Sequence, residues 1–360
     1  MNGGRLKMTA WFGERDRSGG ELVADALLDL YERHGLATSI LLRGIEGFGL
    51  KHHLRTDRLL SLSEDLPVAS IAVDREDRIR AALGEATKLE RHGMVTLERA
   101  RMLAGGHEFI PRPGSGTHET KLTVYLGRKE RIGGRPAFMA VCELLRQHGV
   151  AGATALLGVD GTRHGRRVRA RFFDRNADVP VMLVAVGSES SIADGLEAID
   201  GLLDRPIATL ERVRICKRDG VFSAPPHPPA DAESRHFETW QKLTVYTGEA
   251  ARHEGGSIHR QIVRRLRESG AAGATALRGI WGYHGDHRPH GDRPFQLRRH
   301  VPVLTTVVDT PERIASAFAI IDELTGETGL VTSEIVPAMP GSTHGHSRGS
   351  LALDRDQSPP

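Results

Sequence analysis

The hexapeptide AGATAL occupies residues 151–156 and recurs at 272–277, 121 positions later. At the same offset KLTVY stands at 121–125 and again at 242–246. A fixed period of this size marks a duplicated structural unit, and it limits the fold more than any bulk property does. A third, more diverged copy opens with KMTAW at Lys7. Landmarks stay in register through all three copies. Gly13, Gly127 and Gly248 are followed 22 residues on by Gly35, Gly149 and Gly270. Then come Gly44, Gly158 and Gly279, with Gly47, Gly161 and Gly282 close behind. VTLE, ATLE and VTSE end the copies at 95–98, 208–211 and 331–334. The units therefore run over 6–103, 121–216 and 242–339. The stretches 104–120 and 217–241, rich in Pro, Gly, Ser and charge, read as linkers, and 340–360 reads as a disordered tail.

Each copy opens on an alternating pattern. Leu122, Val124 and Leu126 point one way while Lys121, Thr123 and Tyr125 point the other, as in a half-buried strand. In the third copy Ile258, Ile262, Val263 and Leu266 share a helix face, with Gly270 where a C-terminal glycine cap belongs. AGATALLGV predicts a second strand, and PVMLVAV or PVLTTVV a third. Thr310-Pro311-Glu312 predicts a helix start with threonine as N-cap and proline in the first turn. VTSEIV closes the unit as a fourth strand. The order is βαββαβ, the ferredoxin-like split βαβ, which places the chain in the α+β class. AGATAL thus belongs first to the scaffold, since its small residues let a strand lie close beneath a helix.

Composition narrows the classes. The 360 residues carry a formal charge of only +3, too balanced to argue for nucleic acid. Two cysteines, Cys142 and Cys216, fit a reducing compartment. The N-terminus has no apolar signal region, and no apolar stretch approaches the ~20 residues of a membrane span. A soluble cytoplasmic protein is expected.

Motifs in all three copies resemble the PII-like family known as domain of unknown function 190. They are RGIEGFG (43–49), LSEDLPV (62–68), VDREDRI (73–79) and VTLERARML (95–103), with GATALLGVDG, GATALRGIWG, VVDTPERI and ATLERVRI. The resemblance implies the PII-type fold, homotrimers, and a small ligand, often an adenine nucleotide, in clefts between subunits. It also implies a long loop that signals to a partner, often a membrane transporter or channel. It brings no enzymatic activity and no cofactor. Three copies match the number of subunits in such a ring, so the chain is expected to be a monomeric, internal pseudo-trimer.

The mouth of the long loop is the candidate ligand site. Glycines there present backbone N–H groups, and arginine offers a planar cation suited to phosphate. The residues are Arg43, Gly44, Gly47 and Gly49 in the first copy and Arg278, Gly279 and Gly282 in the third; the second has Leu157 in place of the arginine. A small anionic ligand is the expected occupant. The second loop clusters Arg163, Arg166, Arg167, Arg169, Arg171 and Arg175, either a solvated loop or an anion-binding one. The third holds His284, Asp286, His287, His290 and Asp292, residue types that ligate zinc, although Gly and Pro break the loop. The opening-strand set of Lys, Thr and aromatic residue predicts contact between units. Glu98, Glu211 and Glu334 are positioned to pair with basic residues of a neighbouring unit. Three readings follow: a PII-like sensor, a metal-handling protein or enzyme, and an interaction module for a transporter or channel. No nucleophile–base pair, Walker loop or regular metal motif supports the second.

Overall fold

The computed structural model describes residues 4–57, 65–104, 119–169, 179–203, 206–227, 240–284, 290–291, 301–341, 349–351 and 353. These residues form a mixed α/β structure of three repeated units, with six helices among them. Unit one runs strand Arg5–Gly13, helix Val23–Arg33, strands Thr38–Arg43 and Pro67–Arg75, helix Glu76–Leu89 and strand Met94–Ala104, joined by shorter pieces. The opening strand pairs antiparallel with the third and with the closing strand, Met8 facing Ala72 and Leu97. The second strand pairs with the third through Ile40 and Ile71.

Alternation decides what each face meets. Leu6, Met8, Ala10 and Phe12 pack under the two helices against Leu27, Leu30, Tyr31 and Ile79. Unit two does the same with Leu122, Val124 and Leu126, and unit three with Leu243 and Val245. The helices end as read: Gly35, Gly149 and Gly270 have φ of +58°, +74° and +78°, a conformation that glycine adopts without strain. One expectation needs correcting at the last helix. Proline does sit in its first turn, but the Thr310 side chain makes no capping bond. Asp309 Oδ1 accepts the Thr310 N–H instead, at 2.8 Å.

The opposite face of the sheets is also buried. Ile40, Leu42 and Ile71 of unit one, Tyr125, Leu156, Met182 and Val184 of unit two, and Tyr246, Leu277 and Leu304 of unit three form one shared apolar cluster. Strand pairing continues across the units. The long loops do not begin as loops: each starts with a short arm that pairs with another unit's second strand. Glu46–Phe48 lies on Ala274–Arg278, Asp160–Arg163 on Thr38–Arg43, and Trp281–His284 on Gly152–Leu157. AGATAL is therefore a receiving edge as well as a floor beneath a helix.

Closing strands join the units a second time. Arg101–Ala104 pairs with Ile207–Leu210, Arg214–Arg218 with Leu330–Ser333, and Ala338–Pro340 with Met94–Thr96. The strand of unit two continues past Cys216 to Arg218 and turns into Val221–Phe222, so the first residues of the 217–241 stretch are sheet rather than linker. The tail is likewise partly built. Ser350 bridges to Ala338, and Leu351 and Leu353 rest against the core of unit one. Most of 105–120 and 228–239 lies outside the described residues.

Candidate functional site

At the centre, each opening lysine stands directly across the sheet from its own unit's glutamate: Lys7 from Glu98, Lys121 from Glu211, Lys242 from Glu334. Each ammonium also reaches a second glutamate. Lys7 binds Glu211 at 2.6 Å as well as Glu98. Lys121 binds Glu211 and Glu334. Lys242 binds Glu98 at 2.5 Å and Glu334 at 3.0 Å. Six charges thus alternate around a closed circuit through all three units, every one of them buried. The pairing of each glutamate with a neighbouring unit's cation is as the sequence led us to expect.

Burial disfavours the ionised form of Glu98, but Lys242, Lys7 and Lys121 outweigh it and hold the carboxyl well below the usual range. Glu334 is held low against burial by Lys121 and Lys242. The three glutamates bring carboxylate oxygens within 4.8 Å of one another. The interleaved ammoniums balance the charge of the carboxylates, and the cluster ties the three units together.

The glycine turns are architectural to a degree that spacing alone does not reveal. A Cβ on Gly47, Gly161 or Gly282 would lie 2.5, 2.2 or 2.3 Å from the carbonyl oxygen of Ala274, Ser39 or Ala153 in the facing unit. Only glycine permits that approach. Gly44 and Gly279 donate their N–H groups to Pro67 O and Pro302 O, each at 2.7 Å. Gly49 borders open space. Arg43 is exposed and bound to Glu14 at 2.8 Å. Arg278 is held by Glu249 at 2.7 Å, with Asp57 3.5 Å away. The structure therefore does not gather these seven residues around one space.

In the second loop Arg163 pairs with Glu130, and Arg167 clasps Asp25 at 2.9 Å and Asp160 at 3.0 Å, with Asp29 beside them. Arg167 thereby fastens the arm of unit two to the first helix of unit one. Arg171, Arg175, Asp286, His287 and Asp292 lie outside the described residues, as do the side chains of Arg169 and His290. His284 faces Gly152 in a backbone ladder. Both cysteines are free and buried, and burial pushes the Cys216 thiol up to about 12.

A cavity that draws residues from two units lies at the seam of units one and three; it is part open to solvent and has a volume of about 50 Å³. Trp11, Phe12, Phe48, Leu50 and Met94 wall it from unit one, and residues 272–275 with Thr306 and Val308 from unit three. Asp16, Arg55 and His92 form its polar end, and Gly49 is at its edge. Behind the His92–Gly93 turn sits Glu90, only 4% exposed. Its Oε1 accepts the N–H groups of His92 at 3.0 Å and Gly93 at 2.5 Å, while Oε2 is buried with no hydrogen-bond partner. Burial pushes this carboxyl up to about 7; the two N–H groups work against the shift, Asp16 adds to it and Arg55 opposes it. On the other side of the turn a second cleft opens between Lys88–His92 and Met339–Gly341.

Sequence reasoning passed over Asp16, Arg55 and Glu90. A signal existed at Glu90. Fourteen residues past the start of the second helix, unit one has Glu90 where units two and three have Leu203 and Thr325. An acid in one copy alone breaks the repeat.

The family model described as Uncharacterized ACR, DUF190, matches residues 5–102, 119–215 and 240–338. A UPF0166 protein of Aquifex aeolicus (strain VF5) is 33% identical over 95 residues, 26% of this chain and 88% of that protein. A UPF0166 protein of Methanocaldococcus jannaschii is 30% identical over 89 residues, 25% of this chain and 82% of that protein. Each of these relatives is about one unit long. Among solved structures, an aspartate kinase from Synechocystis gives a TM-score of 0.24 at 13% identity, covering 95% of this chain and 45% of the kinase. The chain spans under half the kinase's length, and a likeness of this size carries no argument.

Proposed function

The chain belongs to the DUF190 family, three units of it in one polypeptide, and on that premise we propose a PII-like regulatory or sensor protein without enzymatic activity. In this reading each unit is ferredoxin-like, and the three form an internal pseudo-trimer that works as a monomer. A small molecule occupies the seam between units one and three, and the long loops report its presence to a partner such as a membrane transporter or channel. The observation that carries the reading is the seam cavity itself: two units contribute its walls, so an occupant would be sensed by both. Among the described residues, no helix is long and apolar enough to cross a membrane.

Thermal unfolding of the whole chain with adenosine, AMP, ATP and divalent cations tests the ligand claim. A molecule at about 100 times its dissociation constant adds ~2.7 kcal/mol. Gly49→Trp supplies the control. Gly49 borders the cavity and its Cβ would meet nothing within 4 Å, so a bulky side chain there crowds the cavity without a backbone clash. The expected result is a rise in Tm with at least one small molecule that Gly49→Trp abolishes. A Tm unmoved by the whole panel favours a plain interaction module. Light scattering tests the assembly: a mass of 39.3 kDa is expected, and a three-chain mass overturns the pseudo-trimer.

A further inference from the structure

The polar end of the seam cavity has already filled its own anion sites. Turns there present backbone N–H groups of the kind that cradle phosphates, and carboxylates of unit one occupy them. Asp16 Oδ2 accepts the Gly13 N–H at 2.7 Å. Asp65 Oδ1 accepts the Arg15 N–H at 3.0 Å. Glu90 Oε1 takes the N–H groups of both His92 and Gly93. The cation is spoken for as well. Arg55 donates from Nε to Asp65 at 2.8 Å, and its guanidinium lies 3.6 Å from Asp16. One guanidinium thus faces two carboxylates even before Glu90 is counted. The arginines flanking the arms, Arg43 and Arg278, are held by Glu14 and Glu249.

An incoming phosphate or carboxylate would have to displace one of these groups and then sit against the others. A ring system meets the opposite situation. Trp11, Phe12 and Phe48 line the cavity from one unit, and small residues with two threonines, Thr275 and Thr306, from the other, surfaces that suit a flat aromatic. At the polar end the Asp16 carboxylate keeps acceptor capacity for an N–H group.

We propose that the cavity between units one and three selects a flat aromatic molecule that is neutral or cationic and carries an N–H donor, and that it excludes anionic forms of the same ring. The proposal rests on this seam being the ligand site. It replaces the expectation of a small anionic ligand with its electrostatic opposite. A bare nucleobase, a nucleoside or an aryl amine has the right chemistry, whereas a nucleoside triphosphate does not.

Matched probes test it on the whole chain. Tryptamine and indole-3-acetate share a ring and differ in the charge of the side arm. Titrations followed by amide chemical shifts should give tryptamine at least tenfold tighter binding than indole-3-acetate, with the largest shifts at Phe48, Gly49 and His92. Gly49→Trp should abolish the tryptamine shifts. Asp16→Asn keeps an oxygen for the Gly13 N–H but removes the charge of the carboxylate that lines the cavity, and it should shrink the preference at least threefold. Indole-3-acetate binding at the same residues as tightly as tryptamine overturns the proposal and leaves the seam standing as a ligand site. Absence of shifts at those residues with either probe overturns both. Should Gly49→Trp fail to fold, the shift map alone locates the site.

Discussion

The hub and the seam cavity are both places where charge gathers, yet they are built on opposite rules. In the hub every unit supplies the same lysine and the same glutamate, and each ammonium touches two carboxylates. At the seam one unit supplies the charges, and a single guanidinium answers two carboxylates. Repetition in this chain marks what holds the three units together. Departure from repetition marks where a ligand would be told from its analogues.

The largest test of that contrast is at the hub. Lys121→Met strands Glu211 and Glu334 without one of their cations, and removing one partner of a buried ion pair costs about 3–5 kcal/mol. Urea unfolding should find a loss in that range. A loss below about 1 kcal/mol would mean the circuit behaves like a solvent-exposed pair.

Glu90 should give the next effect, and with the opposite sign. Its folded-state value of about 7 lies above the 4.5 of an ordinary glutamate, so between those values the native state binds the proton more tightly than the unfolded chain. Stability therefore falls as pH rises through that window, by up to about 3 kcal/mol. Glu90→Gln should match the parent near pH 4.5 and exceed it by up to that amount at pH 8. Equal stability at both pH values would remove the strain assigned to this carboxyl.

Gly161→Ala tests the arms. Its new methyl would press on the Ser39 carbonyl oxygen at 2.2 Å, and overpacking of this kind costs about 1–3 kcal/mol. Gly49→Ala, facing open space, is the control and should unfold with the parent. The smallest effect belongs to the arginines of the loop mouth. Arg43→Ala with Arg278→Ala removes part-exposed pairs worth about 0.2–1 kcal/mol each. Ligand affinity unchanged within twofold in that double variant would remove the loop mouth as a binding site.

Much of the fold was legible in the residues, because period, alternation and helix spacing are local. The strand of Leu122, Val124 and Leu126, the helix of Ile258 to Leu266 and the cross-unit reach of Glu211 could all be anticipated from order along the chain. Pairing between units could not. Nothing local tells that Gly161 lies under Ser39, or that Ala338–Pro340 returns to Met94–Thr96. For the same reason the glycines looked like a cradle for a ligand, when most of them are places where two backbones touch. The seam was hidden differently. Asp16, Arg55 and Glu90 are far apart in order and belong to no motif, and only the mismatch among Glu90, Leu203 and Thr325 pointed there.

The closing strands have a consequence for the integrity of the chain. Each is gripped by the unit that follows, and the last is gripped by the first. A protease nicking either join would sever the polypeptide and still leave the fragments clasped edge to edge, so covalent continuity and mechanical continuity are separate properties of this particle. The same body is therefore accessible from two or three shorter polypeptides expressed side by side.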